Sequence, residues 1–170
     1  KLHQSLHPWR KGLIYDINEA IKNETSFLIE DREVISLILR GQEYEKQTKG
    51  YFNPAIGKLV SLWGFHSEVP RKVMPDNKDI LKLVKAKPSM ENIEITNNKV
   101  SSTNKFVQVD MGGYAKGYAL DQAKNILEQN KISNALINIG GNILALGMQG
   151  DKEWVVGIQD PRNPNLMASL

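Results

Sequence analysis

Asp110, Gly112, Gly113, Lys116 and Gly117 fall within eight residues, in the run VDMGGYAKGYALD, between a β-favouring stretch and a helical one. Residue types of this kind suit an anion. Glycines let the backbone approach a ligand, N–H groups at a helix start point outward, and the helix dipole favours negative charge there. The spacing, however, fits neither standard pattern. A dinucleotide fingerprint needs G-x-G-x-x-G, whereas Gly112, Gly113 and Gly117 give G-G-x-x-x-G. A P-loop needs Lys directly after its last glycine; here Tyr118 follows Gly117 and Lys116 precedes it. On spacing alone two readings stay open. The run is either a loop that holds a phosphate or a tight strand-to-helix corner in which Asp110 is a cap and Lys116 is solvated.

Other chemistry-bearing residues are sparse. His3, His7 and His66 are the only histidines, and none forms a ligand-spaced group with a carboxylate. His3 and His7, at i and i+4, sit at the chain end, where solvated side chains are the rule. Trp63 and Phe65 suit either a flat ring ligand or the core. The chain has no cysteine, which excludes disulfides, thiolate metal sites and cysteine nucleophiles.

The bulk composition narrows the class. With 41% hydrophobic and 24% charged residues the chain matches folded globular proteins, and 170 residues suit a single domain. A net charge of +3, with the basic residues spread along the chain, argues against nucleic acid as a partner. No apolar run reaches the length of a bilayer, and no signal-peptide pattern opens the chain.

The elements that must position the glycine-rich run can be read from pattern. Leu13, Ile17, Ala20 and Ile21 predict a first helix that stops near Asn23. TSFLIE predicts a short strand, and Asp31 an N-cap for a helix buried through Val34, Ile38 and Gly41, with Leu37 and Tyr44 flanking. The charges of RGQEYEKQTK are read as one solvated face of that helix. A long ordered loop follows from Lys49, with a short helix near Leu59 to Leu62, and then a short helix in DNKDILKLVKAK. NIEITNNKVSS predicts a hairpin turning at Asn97 and Asn98, and KFVQVD a strand leading into the glycine-rich run. Beyond it, Ala119, Ala123, Ile126 and Leu127 predict an amphipathic helix. NALINIGGNILALG predicts strand, glycine turn and strand; EWVVGIQD predicts a last strand and PRNPN a turn. Helices and hairpin-like strands interleave, so the expected class is α+β with a mixed or antiparallel sheet.

Three stretches, in order, resemble the ApbE-type FAD:protein FMN transferases. GYFNPAIGKLVSLWGF is similar to that family's glycine-x-Phe-Asp-Pro segment leading to Leu-Trp-Gly-Phe, and VDMGGYAKGYALDQA to its Asp-Leu-Gly-Gly-x-Ala-Lys-Gly-Tyr motif. NALINIGGNILALG with WVVGIQDP is similar to its glycine-pair hairpin and following strand. The resemblance runs from about Tyr44 to Pro161, and more faintly back to the DINEA helix.

It implies transfer of FMN from FAD to a Thr or Ser hydroxyl of an acceptor protein, with AMP leaving and Mg²⁺ on the pyrophosphate. Tyr51, Phe52 and Asn53 would line the flavin site. Asp110, Gly112, Lys116 and Tyr118 would belong to the loop that holds the FAD phosphates and ribose, and the carbonyl of Ala115 would be one Mg²⁺ ligand. Asn53 and Asn142 depart from the family's usual Asp, keeping hydrogen-bonding capacity and losing charge. The family's remaining Mg²⁺-binding Asp and Thr residues and a histidine motif lie beyond the position matching Leu170. The chain is therefore expected to be the N-terminal half to two-thirds of such a transferase, an incomplete form of the ApbE-like fold, with no catalytic residue assigned. The resemblance further implies an extracytoplasmic or periplasmic site of action, with membrane attachment only through a lipid anchor outside this chain. The alternative from another class is a flavin-binding or flavin-storing module without transferase activity, motivated by the two Asn departures and by the family ligands expected beyond Leu170.

Overall fold

The computed structural model describes residues 6–67, 73–163 and 166–169. They divide into two compact units, 1–113 and 114–170.

In the first unit the α1 helix, Leu13–Lys22, buries Ile14, Ile17, Asn18 and Ile21. The stripe is thus i, i+3, i+4, i+7 starting from Ile14, one residue on from the Leu13 predicted, and its third position is polar. β1 is only Phe27–Leu28, although Ile29 N–H continues the pairing by donating to Asn98 O at 2.8 Å. Asp31 caps α2, Arg32–Gln47, as expected: its Oδ1 accepts from Glu33 N at 2.9 Å and Val34 N at 3.3 Å.

The α3 helix, Gly57–Leu62, falls where a short helix was expected in the long loop, of which 68–72 lie outside the described residues. Asp76 caps α4, Asn77–Lys85, and a 3-10 turn at Met90–Asn92 leads into β2, Ile93–Thr96. β3, Lys99–Ser102, returns antiparallel to β2 through Asn97 and Asn98, at φ of 51° and 60°. Two successive positive-φ residues define the tight turn whose twist matches a hairpin. The sheet order is β1-β3-β2, all antiparallel, with Phe27 opposite Val100 and Ile95 opposite the same residue.

The core of this unit joins α1, α2, the sheet and the stretch before the glycine-rich run. Ile14, Ile17, Leu37, Ile38, Val100, Val107, Val109 and Met111 are fully buried. Each such aliphatic side chain contributes about 1.5–3 kcal/mol relative to exposure.

In the second unit α5, Ala115–Gln129, packs on the hairpin of β4, Ala135–Ile139, and β5, Asn142–Leu146. The two strands pair from Ile139–Asn142 outward, leaving Gly140 and Gly141 as a two-residue turn at φ of 55° and 91°, as the paired glycines predicted. The helix stripe differs from expectation. Leu120 is the buried residue of α5, and Ile126 is 59% exposed.

A second antiparallel pair joins β6, Gly157–Gln159, to β7, Leu166–Ser169. The strand expected from Glu153 is thus reduced to three residues. Trp154 instead ties its segment down by a side-chain bond, Nε1 donating to Leu146 O at 2.8 Å. Among the described residues no helix is long and apolar enough to cross a membrane. All named strands pair antiparallel, in keeping with an α+β class.

Candidate functional site

The approach to the glycine-rich run is an extended segment held from both edges. KFVQVD forms no named strand; its one β-bridge is parallel, between Gln108 and Ile56. Successive residues of an extended chain turn their N–H and C=O groups to opposite edges. Gln108 and Asp110 use one edge: Gln108 N donates to Ala55 O at 3.0 Å, its carbonyl accepts from Gly57 N at 2.8 Å, and Asp110 N donates to Pro54 O at 2.8 Å. Val109 faces the other edge, where no strand of the described residues pairs with it. There the Asn18 side chain takes both groups, its Oδ1 accepting from Val109 N at 2.7 Å and its Nδ2 donating to Val109 O at 3.0 Å. Val109 is fully buried and Asn18 is 6% exposed. An apolar residue at position 18 would leave two buried backbone groups unpaired, at about 1–3 kcal/mol each.

Beyond Val109 the chain turns. Asp110 Oδ1 accepts from Gly112 N at 2.9 Å, so the carboxylate closes the loop on itself rather than capping the next helix. Gly113 then meets the first family-like stretch: a Cβ built on it would stand 2.8 Å from Cε2 of Phe52.

Phe52 is put there by the end of α2. Lys49 and Gly50, at φ of 54° and 80°, turn the chain back. Thr48 Oγ1 donates to Tyr44 O at 2.8 Å and accepts from Phe52 N at 3.0 Å. The Phe52 ring meets Tyr44 edge-on, with centroids 6.3 Å apart, while Tyr51 points outward and is 96% exposed. Asn53 is engaged with the backbone: Oδ1 accepts from Ala55 N at 2.8 Å and Nδ2 donates to Pro88 O at 2.8 Å. Those partners have fixed polarity, so a carboxylate at this position makes the first bond and not the second.

In the second unit, Ala115 opens α5, whose start at Tyr114 carries no side-chain cap. Lys116 reaches the glycine-pair turn, with Nζ 3.4 Å from Gly140 O. Tyr118 lies in the first turn and is partly exposed. An uncapped helix start with a lysine beside it is chemically suited to a phosphate. Among the described residues no group of three or more His, Asp or Glu side chains is placed to hold a metal ion. Surface depressions of about 430 Å³ at Gln159–Asn163 and about 420 Å³ beside Lys124, Lys131 and Gly147 include none of the predicted site residues.

Two polar residues escaped the pattern reading. Asn18 lay hidden in α1, where a polar residue at a stripe position was the available signal. The charge pattern places Glu45 on a solvated face, but it is buried, its Oε2 accepting from Met90 N at 2.6 Å and Ser89 Oγ at 3.1 Å. Three residues before it, Gln42 Nε2 donates to Met90 O at 3.0 Å and Ile93 O at 2.9 Å, so α2 clamps the 3-10 turn through two side chains. His7 and His66 flank Trp9, with ring centroids 6.0 and 5.7 Å from the indole, and His3 lies outside the described residues.

The chain is α+β, and Phe52 and Gly113 bring two of the family-like stretches into contact. The chain belongs to the ApbE family, whose model matches residues 1–170. It is 35% identical over 161 residues to the FAD:protein FMN transferase of Rhodobacter capsulatus, a match covering 95% of this chain and 31% of that protein. To the FAD:protein FMN transferase of Klebsiella pneumoniae it is 33% identical over 151 residues, covering 87% of this chain and 44% of the relative. The crystal structure of the ApbE protein of Thermotoga maritima superposes with a TM-score of 0.86 at 26% identity, over 99% of this chain and 54% of that one. The flavin transferase ApbE of Vibrio cholerae shares the fold, with a TM-score of 0.81 at 23% identity, over 98% of this chain and 54% of its own. The chain thus spans roughly a third to a half of these relatives.

Proposed function

We propose that this chain is the FAD-recognising part of a FAD:protein FMN transferase. The single observation that carries the reading is family membership along the whole chain, with relatives named for that activity. The local chemistry supports it. Tyr51 offers an exposed aromatic face for a flavin ring, Phe52 and Gly113 bring the first two family-like stretches into contact, and the start of α5 with Lys116 suits a phosphate.

In the proposed reaction the hydroxyl oxygen of an acceptor Thr or Ser attacks the phosphorus on the FMN side of the FAD pyrophosphate. The bridging P–O bond breaks, AMP leaves with its electron pair, and the hydroxyl proton is lost to a base. The new link is a phosphodiester between FMN and the protein. Mg²⁺ would neutralise charge on the pyrophosphate. Of such an ion's ligands, the Ala115 carbonyl is the one this reading draws from the chain, so the others belong to FAD oxygens, water or further protein groups. An extracytoplasmic site of action belongs to the same proposal.

The test is covalent flavin. A chain carrying this segment at the length of its relatives, incubated with FAD, Mg²⁺ and an acceptor bearing Thr and Ser, is expected to leave flavin fluorescence on the acceptor after denaturing electrophoresis, with AMP formed in equal amount. No covalent flavin and no AMP would contradict the reading.

A further inference from the structure

We infer that Asn18 is a positioning residue for flavin-nucleotide recognition, acting through Val109 on the loop from Asp110 to Gly113; the inference rests on the proposed function above. The geometry is specific. The Pro54–Gly57 segment fixes Gln108 and Asp110 along one edge, and the Asn18 amide alone fills the opposite edge at Val109, standing where a neighbouring strand would. The residues that follow depend on this anchorage. Asp110 turns its carboxylate onto Gly112 N, and Gly113 receives the Phe52 ring, so a shift at Val109 displaces both contacts.

The chemistry also selects the residue type. One side chain must present an acceptor and a donor to the N–H and C=O of a single residue, which a primary amide does. Asp keeps the acceptor, loses the donor and sets a negative oxygen against the Val109 carbonyl. Ser fills neither bond fully. α1 is a suitable platform because Ile14, Ile17 and Ile21 bury it on either side of Asn18.

The experiment compares the wild-type chain with Asn18→Asp and with the control Asn23→Asp, an exposed position at the end of α1. Three readouts are taken: thermal melting by circular dichroism, hydrogen exchange of residues 109–113, and FAD affinity by flavin fluorescence titration. In the wild type the Val109 amide is expected to exchange slowly although it lies in no strand. Asn18→Asp is expected to exchange faster across 109–113 and to bind FAD about tenfold more weakly, as when the binding-competent loop falls to about a tenth of the population. Asn23→Asp is expected to match the wild type in exchange across 109–113 and in FAD affinity, its charge at the C-cap of α1 affecting only the melting temperature.

A folded Asn18→Asp chain with unchanged exchange, or with faster exchange and unchanged FAD affinity, overturns the assignment. If that variant does not fold, Asn18→Ser is read in the same way, and if both fail to fold the residue is a folding determinant and the assignment falls. A wild-type chain that does not bind FAD overturns the flavin reading itself, a result distinct from binding that Asn18 does not affect.

Discussion

The ring of Phe52 lies against the bare Cα of Gly113, so closely that a methyl group there would stand 2.8 Å from Cε2. Gly113→Ala must push the ring tip aside. The expected cost is about 1 kcal/mol of stability, the low end for overpacking because the ring can swing. The expected loss of FAD affinity is larger, about tenfold, since the two loops no longer keep their register. Gly117 is the contrast: it lies within α5 and nothing stands within 4 Å of an added Cβ. Gly117→Ala should leave stability unchanged or raise it by up to about 1 kcal/mol. Denaturant titration of both variants checks the pair, and equal effects at the two glycines would contradict the contact.

Asn53→Asp introduces the residue that the resemblance implies at this position and is nevertheless expected to destabilise this chain. The amide donates to Pro88 O at 2.8 Å, and a carboxylate puts a negative oxygen against that carbonyl. A loss of about 1–3 kcal/mol in urea unfolding is predicted. A neutral or stabilising outcome would show that the Pro88 contact is dispensable.

Buried Glu45 supplies the acceptor for Met90 N and Ser89 Oγ. Glu45→Ala strands the Met90 amide, and the predicted cost is about 1–3 kcal/mol, whereas Glu45→Gln keeps one acceptor and costs less. Unfolding midpoints of the two variants give the comparison. Equal costs would mean that the amide oxygen does not replace the carboxylate as acceptor for Met90 N.

How much of this could be read from the chain follows from the distance between partners. The Asp31 cap, the Asn97–Asn98 turn and the Gly140–Gly141 turn are local, each complete within a few residues, and all three were legible. Asn18 was not, because its partner is 91 residues away, and neither was Glu45, 45 residues from Met90. KFVQVD has the composition of a strand, but its neighbours are a short connecting segment and a side chain, so no ladder forms. In the second unit the apolar stripe of α5 was legible as a helix but not as a buried face, since Ile126 is largely exposed. The glycine-rich motif was open on spacing alone, and the resemblance rested on three ordered stretches rather than on that motif.

Lys58 carries a pH prediction. Desolvation of its half-buried ammonium and then the charge of Lys22 lower its pKa from the ordinary 10.5, with Glu19 opposing and Lys105 adding to the shift. The folded chain therefore releases this proton at lower pH than the unfolded chain. Between the folded value and 10.5 the unfolded state binds more protons, so this group's contribution to stability rises with pH across that window. Lys58→Met removes the contribution. Unfolding midpoints from pH 7 towards about 10.5 should show the wild type gaining on the variant. Parallel curves would contradict the shift.

FAD recognition by this 170-residue chain is tested by titration with FAD, followed by flavin fluorescence with and without Mg²⁺. Saturable binding is expected, weaker in Gly113→Ala. No saturable binding under either condition would contradict the claim that these residues recognise FAD.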